Sequence, residues 1–479
     1  MRSLTRVASC LAAAGVVLGP VAMAQQPPTL APAVRQFVSV DSPVVALTHV
    51  RLMDGTGAPP RDDQTIVFDH GRITVVGASI RVAPPPGAYV MNLDGHTVIP
   101  GIVGLHDHMY YGSTAGGAMR PMLFSYPKLF LSAGVTTIRT TGSVDSYQEL
   151  NIRKAILDGL TAGPEIVVTG PYLQGPGVGP GAMHALSGED DARRMVRYWA
   201  EEGVTWFKAY TQISRAELAA AIDEAHKHGV KVTAHLCSVG FREAVAAGID
   251  ALEHGLLTNS EYFPGKQADA CPGVSDSAEY GALDIASPDV QRTIREMVQH
   301  HVAMTSTLDV FELSAPSRVP FDQRVIDALH PDARPAVLAF YERGKTAKDS
   351  AFRSVFKKAM AFDRAFYLAG GLLAAGSDPC CITSMAGFGD QRNYELLIEA
   401  GFKPEEAIKV MTLNGATALG FGSRLGSIEV GKQADLVVLR GDAVRTPGAI
   451  REVVTVFRQG VGYDPSKLFA AVKGLIGER

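Results

Sequence analysis

The sequence lacks the signatures of several common protein classes. It has no Gly-x-Ser-x-Gly elbow, no phosphate-binding loop and no dinucleotide-binding glycine fingerprint. The formal charge is only −4 at pH 7, so the charge balance gives no reason to expect a nucleic acid or an anionic membrane as partner. Beyond the N-terminus, no apolar run approaches transmembrane length. What is left is a chain of 479 residues, long enough for one large domain and a smaller one.

The N-terminus has the pattern of a secretory signal peptide. Arg2 and Arg6 precede an apolar run over residues 7–21, and Ala22 and Ala24 supply the small residues of a cleavage site. A membrane anchor is the alternative, but the run is short for spanning a bilayer. We predict a leader over residues 1–24 and a secreted or periplasmic mature protein without membrane contact.

Cysteine is scarce, since only Cys237, Cys271, Cys380 and Cys381 follow the predicted leader. An oxidising compartment permits disulfides, and Cys271 could pair with Cys380 or Cys381, but the sequence alone does not fix the connectivity. Because no Cys-x-x-Cys spacing is present, the adjacent pair is not predicted to be a soft metal site.

The remaining chain divides into two kinds of pattern. Short strand-like runs with intervening turn residues occupy residues 44–97 and recur over 420–479. Between them, over residues 98–419, strands alternate with helical patterns, which is typical of βα units and a parallel sheet. Eight strands can be counted there, so we predict an α/β fold with a (β/α)8 TIM barrel. Residues 25–43 are predicted to be an unstructured lead-in.

One helix and two irregular segments refine this prediction. Ser214 and Glu217 have the spacing of a capping box, and Gly229 stands where that helix should end. Residues 259–289 and 312–348 break the alternation. Both follow barrel strands, so we expect them at the face of the barrel where active sites of this fold are built.

The chemistry is centred on His106-Asp107-His108, which ends the apolar run over residues 98–105. Side chains alternate along a strand, so both imidazoles can reach one metal ion while Asp107 faces away. Other predicted strands end in residues that could complete such a site. These are Lys208, His235, His254 and Asp378.

The segment 98–108 resembles the signature of the amidohydrolase superfamily. The order of residues at the strand ends is similar to that of its binuclear branch, near imidazolonepropionase-like proteins, Xaa-Pro dipeptidases and metal-dependent carboxypeptidases. This resemblance implies that the two chain ends form one small β-sandwich beside the barrel. It also implies a metal-dependent hydrolase acting on a C–N bond of a small-molecule substrate.

The resemblance further implies a set of metal ligands. They are His106, His108, Lys208, His235, His254 and Asp378. Lys208 would be carboxylated and bridge two ions, although it could instead bind a substrate carboxylate or stand beside a single ion. Imidazole and carboxylate ligands suit Zn²⁺, two per chain, without excluding manganese, iron or cobalt.

The implied reaction is hydrolysis of an amide bond in a dipeptide or N-acyl amino acid by a metal-bridging hydroxide. Asp378 would be the catalytic acid and base. The same centre could serve a cyclic amide, a lactone or a phosphotriester. A non-catalytic binding protein is a third alternative, which the complete ligand set disfavours. The oligomeric state stays open, a homo-oligomer included.

Further residues are candidates for substrate contacts. Tyr210 could donate to an oxyanion or bind the substrate, with a packed tyrosine as the alternative. His184 lies in a glycine-rich loop where related dipeptidases often carry Gly-Gly-His-Gly, but here the loop reads Gly-Ala-Met-His. Gly104 stands where many relatives have an aspartate, and we expect this departure to tune the pocket rather than the metals. Arg139, Arg318 and Arg392 are candidates for binding a substrate carboxylate.

Overall fold

The computed structural model describes residues 29–112, 119–177, 183–272, 278–347 and 352–477. The predicted leader, residues 1–24, lies outside the described residues. Within the described ranges, no helix combines the length and the apolar character needed to cross a bilayer.

The strands and helices of the described ranges follow the α/β pattern. In chain order the strands are β1 (Val38–Val40), β2 (Val44–Leu52), β3 (Arg61–Asp69), β4 (Arg72–Ala78), β5 (Tyr89–Asn92), β6 (His96–Pro100), β7 (Ile102–Asp107), β8 (Tyr110–Gly112), β9 (Met119–Pro121), β10 (Val135–Thr140), β11 (Glu165–Val167), β12 (Trp206–Ala209), β13 (Lys231–Ala234), β14 (Ala251–Glu253), β15 (Ala303–Ser306), β16 (Leu373–Ala375), β17 (Leu436–Arg440), β18 (Val453–Arg458) and β19 (Val461–Tyr463). The α-helices are α1 (Pro32–Arg35), α2 (Tyr126–Ser132), α3 (Ser146–Leu157), α4 (Glu189–Glu201), α5 (Arg215–Lys227), α6 (Phe241–Ala246), α7 (Ala278–Ala282), α8 (Pro288–Gln299), α9 (Leu308–Glu312), α10 (Gln323–Ala328), α11 (Arg334–Thr346), α12 (Phe352–Leu368), α13 (Phe388–Glu399), α14 (Pro404–Lys409), α15 (Gly415–Ala418) and α16 (Pro465–Ala470).

A nine-stranded sheet takes strands from both ends of the chain. Its order is β1-β19-β18-β17-β6-β2-β3-β4, with β5 beside β2. We predicted a β-sandwich here, whereas the strands form one continuous sheet. The reason is that β2 pairs with β5 over its first half and with β6 over its second half, so that one strand joins both parts. Leu47, Phe68 and Phe457 belong to the separate apolar core of this sheet.

Eight parallel strands alternate with helices through the middle of the chain, which confirms the α/β class. They form a three-stranded sheet, β11-β10-β7, and a five-stranded sheet, β12-β13-β14-β15-β16. A parallel bridge between Thr169 and Trp206 links the two sheets on one side. On the other side, the backbone N–H of Asp378 donates to the carbonyl of His106 at 2.7 Å. The carboxyl ends of parallel strands meet at one face, so this topology brings their terminal side chains together.

The segment predicted to be an unstructured lead-in is ordered where the structure describes it. It contains α1 and β1, and Val38 of β1 pairs with Tyr463 of β19. Val34 and Phe37 are buried. A single helical turn and a three-residue strand carry too little local pattern to be predicted, because their stability comes from packing against a distant part of the chain.

The disulfides differ from the pairing that we considered for Cys271. Cys237 is bonded to Cys271, and Cys380 is bonded to Cys381. The first bond joins the loop after β13 to the long loop after β14, where the two Cα atoms are 4.8 Å apart. The neighbouring strands β13 and β14 bring these loops together, which cysteine spacing alone does not reveal.

The predicted capping box and irregular segments can be located in the structure. Ser214 Oγ accepts from the backbone N–H of Glu217, whose carboxylate accepts from the backbone N–H of Ser214 in return. The irregular segments carry α7, α10 and α11 rather than further barrel strands.

Candidate metal centre

The six side chains predicted as metal ligands converge at the carboxyl ends of the parallel strands. They are His106 and His108 at the end of β7, Lys208 on β12, His235 after β13, His254 after β14 and Asp378 after β16. His106, His108, Lys208 and His254 are buried, while His235 and Asp378 are partly exposed.

Asp378 lies at the centre of the histidine cluster. Its Oδ1 is 2.9 Å from His108 Nε2, and its Oδ2 is 3.6 Å from His106 Nε2 and 4.0 Å from His254 Nε2. The backbone of Asp378 is left-handed, with φ +53°, a conformation rare in non-glycine residues and often found at functional sites. One carboxylate is thus held within reach of three imidazoles.

The fourth histidine extends the cluster on its open side. The ring centroid of His235 lies 4.4 Å from that of His254 and 4.9 Å from that of Tyr210. The ring of His106 also lies 4.4 Å from the ring of His254. The four imidazoles therefore form one connected cluster.

His254 provides a test of whether these residues fit a metal ion. Its Nδ1 is 2.6 Å from Thr307 Oγ1, while its Nε2 is buried without a hydrogen-bond partner in the described part of the chain. A buried polar atom without a partner is costly, so it calls for a ligand. Metal-binding atoms of His106, His254 and Asp378 all lie within 4.8 Å of one another. Imidazole nitrogens and a carboxylate oxygen are a donor set that zinc accepts, so the residues fit a divalent metal.

Glu253 contacts the histidine cluster through His106, and no role was predicted for it from the sequence. Its Oε2 is 2.7 Å from His106 Nδ1, and it also accepts hydrogen bonds from Arg139 and Thr233. When His106 donates through Nδ1, its Nε2 presents a lone pair to the centre, as in many metal-binding histidines. A carboxylate in a strand that is otherwise apolar and buried was the signal in the sequence that could have revealed this role.

Lys208 points into the same cluster. Its Nζ is 2.9 Å from His106 Nε2, and no carboxylate of the described residues forms an ion pair with it. Burial lowers the pKa of Lys208 to about 8, against the opposing charges of Asp378 and Glu253. A lysine with this pKa has an appreciable fraction of uncharged amine near neutral pH.

The protonation states of the other side chains favour metal binding. Burial, with the nearby charge of Lys208, lowers the pKa of His235 to about 3. Burial likewise holds the pKa values of His106 and His254 well below the usual range. For Asp378, burial alone would raise the pKa, but electrostatic interactions with His106, His108 and Lys208 and a hydrogen bond from His108 hold it below the usual range. Neutral imidazoles and an ionised carboxylate are the forms that bind metals.

Tyr210 lies at the edge of the cluster, beside His235. The Nζ of Lys208 is 5.5 Å from the Tyr210 ring centroid. Burial raises the pKa of Tyr210, so its hydroxyl stays protonated and can donate a hydrogen bond. The structure therefore brings Tyr210 to the centre that was predicted from the sequence.

His184 does not belong to the histidine cluster but contacts Asp191. Its Nε2 is 2.8 Å from Asp191 Oδ2, and half of its side chain is exposed. Asp191 also accepts hydrogen bonds from the backbone N–H and the hydroxyl of Ser187. His184 thus belongs to the surface loop before α4, with Asp191 as its partner, and not to the group around Asp378.

The three arginines considered for a substrate carboxylate are already paired with carboxylates of the chain. Arg139 is buried against Glu253. Arg318 contacts Glu399 and Glu312, and Arg392 contacts Glu312 and Glu395. These glutamates lie far from the arginines in sequence in most cases, so the pairing could not be read from the sequence.

Asp107 faces away from the histidine cluster, as its place between His106 and His108 predicted. Its Oδ1 is 2.9 Å from Ser377 Oγ, which is also 3.1 Å from Asp390 Oδ2. Ser377 directly precedes Asp378, so this buried network ties the end of β7 to the loop that carries the central carboxylate.

Comparison with known families and proteins gives consistent results. Residues 97–462 match the profile of the amidohydrolase family. An uncharacterized protein of Mycobacterium tuberculosis is 28% identical over 220 residues, which cover 43% of this chain and 55% of that protein. The chain thus matches about half the length of that relative. An imidazolonepropionase of Pseudomonas putida is 24% identical over 414 residues, which cover 81% of this chain and 90% of that protein.

Two solved structures show the same fold. A prolidase candidate from Bifidobacterium longum aligns with a TM-score of 0.64 and 26% identity, over 90% of this chain and 98% of that chain. A Xaa-Pro dipeptidase with methionine in its active site aligns with a TM-score of 0.65 and 20% identity, over 88% of this chain and 100% of that chain. At its lower identity, the second likeness concerns the fold alone.

Proposed function

The chain belongs to the amidohydrolase family, and from this premise we propose that it is a metal-dependent hydrolase that cleaves an amide bond in a dipeptide or N-acyl amino acid. The observation that carries the proposal is the Asp378 carboxylate within 4.0 Å of three buried imidazoles. One of them, His254, has a buried Nε2 without a hydrogen-bond partner among the described residues. The likeness to the prolidase candidate supports a substrate of the peptide type. We further infer that the eight parallel strands close into one (β/α)8 barrel.

The centre would hold two zinc ions through His106, His108, His235, His254, Asp378 and a carboxylated Lys208. A bound divalent metal supplies a water of lowered pKa and polarises the carbonyl group of the substrate. The chain's own side chains then prepare and complete the reaction.

Carboxylation of Lys208 explains how a lysine can serve a metal centre. An ammonium group has no lone pair, whereas the neutral amine can add to carbon dioxide, forming an N–C bond and releasing a proton. The resulting carbamate offers two oxygens. The position of Nζ, buried beside His106 without a carboxylate partner in the described ranges, supports this assignment.

Asp378 is proposed as the group that moves the proton. It is ionised at neutral pH, so it can accept a proton from the attacking water and return it to the leaving nitrogen. Tyr210, which stays protonated, is placed to donate to the oxyanion that develops on the carbonyl oxygen. His184 would contact the substrate from the loop before α4, where it is paired with Asp191.

The proposal includes a secreted or periplasmic location, which rests on the pattern of residues 1–24.

A second candidate function is hydrolysis of a cyclic amide at the same centre. The similarity to an imidazolonepropionase over 81% of the chain favours this candidate over lactone or phosphotriester hydrolysis.

The test combines elemental analysis of the purified mature protein with a hydrolysis screen. The screen contains N-acyl amino acids, Xaa-Pro dipeptides, cyclic amides, lactones and phosphotriesters, each with and without a chelator. We expect about two zinc ions per chain and chelator-sensitive release of an amino acid. One metal ion per chain would remove the bridging role of Lys208. A protein without metal and without turnover would overturn the proposal.

A further inference from the structure

A cavity opens near the carboxyl ends of β10 and β11, and Tyr172 in its lining lies beside the metal centre. Its volume is about 390 Å³, and it lies between the loops that follow β10 and β11 and the exposed side of α4. Its lining combines polar side chains, among them His184 and Arg194, with aromatic rings and thioethers. The rings and thioethers are Tyr147, Tyr172, Met183, Met195, Tyr198 and Trp199.

Three of these rings form one aromatic cluster. The ring centroid of Trp199 lies 4.7 Å from that of Tyr147 and 5.4 Å from that of Tyr198, and the two tyrosine hydroxyls are hydrogen-bonded to each other. Tyr147 and Tyr198 are nonetheless 44% and 48% exposed. Large aromatic side chains grouped at a concave and accessible surface are typical of binding sites.

Tyr172 forms a wall that this cavity and the metal centre share. Its ring centroid is 5.5 Å from Lys208 Nζ and 5.1 Å from the ring of Tyr210. Its hydroxyl is 2.9 Å from the hydroxyl of Tyr110, whose ring stacks on His108 at 4.5 Å. One tyrosine ring is therefore common to the cavity and the proposed reaction centre.

The backbone fixes this wall in place. The N–H of Leu173 donates to the carbonyl of Lys208 at 2.9 Å, and the N–H of Tyr210 donates to the carbonyl of Leu173 at 3.0 Å. Gly142 has φ +86°, and a Cβ at this position would overlap the Tyr172 ring. The loop with Tyr172 is thus tied to the strand with Lys208 and packed against a glycine.

The charged groups at the rim are already engaged within the chain. Arg194 pairs with Asp191, the same residue that His184 contacts. Asp145 accepts from the backbone N–H of Gln148 at the start of α3. The cavity therefore offers ring faces and methionine side chains rather than a free charge, which suits an apolar planar group.

We propose that this cavity is the substrate subsite for an aromatic side chain next to the scissile amide bond. The inference rests on the proposed function. It narrows the substrate class from amides of amino acids in general to amides of aromatic amino acids. Tyr198 and Trp199 supply the stacking surface, and Tyr172 sets the distance between the aromatic group and the reacting carbonyl.

The kinetic test compares matched substrates that differ only in phenylalanine against leucine, placed on either side of the amide bond. We expect kcat/KM of the native enzyme to be at least about fivefold higher for the phenylalanine form on one side, which corresponds to about 1 kcal/mol. Tyr198→Ala should reduce this preference to about twofold or less, because it removes a stacking surface. Tyr89→Ala, an equally exposed tyrosine at 47% on the distant sheet, is the matched control and should keep the full preference.

A binding test is independent of turnover. The chain has two tryptophans, Trp199 in the cavity and Trp206 buried between Arg139 and Lys231. Free L-phenylalanine, titrated into Trp206→Phe protein, should shift the emission of Trp199, and free L-leucine should not. In the Trp199→Phe variant the remaining emission should not respond.

The outcomes separate the two proposals. If no amide is hydrolysed but phenylalanine still shifts the Trp199 emission, the proposed function fails and the aromatic subsite stands. If amides are hydrolysed without a preference for phenylalanine, or if Tyr198→Ala leaves that preference intact, the subsite is overturned and the hydrolase stands. An equal emission response to leucine and phenylalanine would likewise overturn the aromatic specificity.

Discussion

The carboxylate of Asp107 occupies the space that a side chain at residue 104 would need. A Cβ added at Gly104 would overlap Asp107 Oδ2 and would also lie 3.3 Å from Asp390 Oδ1. Many relatives were expected to carry an aspartate at position 104, where this chain has glycine. In this chain the carboxylate at that place comes from Asp107, the residue between the two histidines, and Gly104 leaves room for it. We call this the reciprocal arrangement of Gly104 and Asp107.

The first prediction follows from this overlap. Gly104→Ala should lower the free energy of unfolding by about 1–3 kcal/mol, the usual cost of overpacking a well-packed core. In an Asp107→Ala background the same change should cost much less, because the overlapping carboxylate is gone. Urea denaturation of the four proteins of this double-mutant cycle measures the coupling.

A glycine without a close neighbour provides the control for that cycle. At Gly448 a Cβ would meet no atom nearer than 3.9 Å, and its φ is not positive, so Gly448→Ala should change the unfolding free energy little. Equal costs of Gly104→Ala in the native and Asp107→Ala backgrounds would contradict the reciprocal arrangement.

The second prediction concerns Glu253, which holds His106 through its Nδ1. Glu253→Gln keeps the shape of the side chain but removes the charge that faces His106 and Arg139. We expect the affinity for zinc to fall about 10–100-fold, as for other partners of metal-binding histidines. Competition with a fluorescent chelator measures this affinity without any substrate.

The matched control for Glu253→Gln is Glu342→Gln on the surface of α11, where the carboxylate is 68% exposed. It should leave zinc affinity unchanged. Unchanged zinc affinity in Glu253→Gln itself would show that Glu253 serves only to neutralise Arg139.

The third prediction tests the carbamate at Lys208. If Lys208 carries the proposed carbamate, Lys208→Ala should lower zinc content and hydrolysis together, because it removes the two carbamate oxygens and leaves a space beside His106. Acetate or propionate at millimolar concentration should restore part of both, since a small carboxylate fits that space and supplies two oxygens. Elemental analysis and the hydrolysis rate, measured across a carboxylate titration, report the rescue.

Lys208→Arg provides the contrast, because arginine fills the space and forms no carbamate under these conditions. It should lose metal without rescue by carboxylates. Full zinc content in Lys208→Ala without any added carboxylate would falsify the bridging role.

The convergence of these side chains could be predicted from the sequence because two strong rules apply to it. The period of two along a strand orients His106 and His108 to one side, and the carboxyl ends of parallel strands meet at one face. These rules bring Lys208 and Asp378 into the same cluster without knowledge of side-chain packing. The α/β class follows from the same alternation of strand and helix patterns.

The parts that could not be predicted depend on which distant segments become neighbours. The contact of Glu253 with Arg139 joins β14 to β10 across the interior, and no local pattern specifies it. The bond between Cys237 and Cys271 depends on where a long loop returns. The ring cluster around Trp199 arises only when Tyr147 of α3 meets Tyr198 and Trp199 of α4, and no local motif specifies that contact.

The last prediction concerns pH and Glu149, a buried carboxyl group on α3 near Thr140 and Ser143. Burial raises its pKa from 4.5 to about 8, so the folded state holds a proton that the unfolded state releases above pH 4.5. Its contribution to stability is fully present below pH 4.5 and is lost as pH rises to about 8. The free energy of unfolding should therefore fall over this window, by at most about 1.4 kcal/mol per pH unit from this group.

Glu149→Gln isolates that contribution, because glutamine keeps the shape of the protonated carboxyl group and does not titrate. The difference in unfolding free energy between Glu149→Gln and native protein should grow in favour of the variant from pH 5 to pH 8, as urea denaturation at each pH would show. The exposed Glu342→Gln variant should show a flat difference over the same range. A flat difference for Glu149→Gln would mean that Glu149 is ionised in the folded protein, with a cation or water compensating its charge.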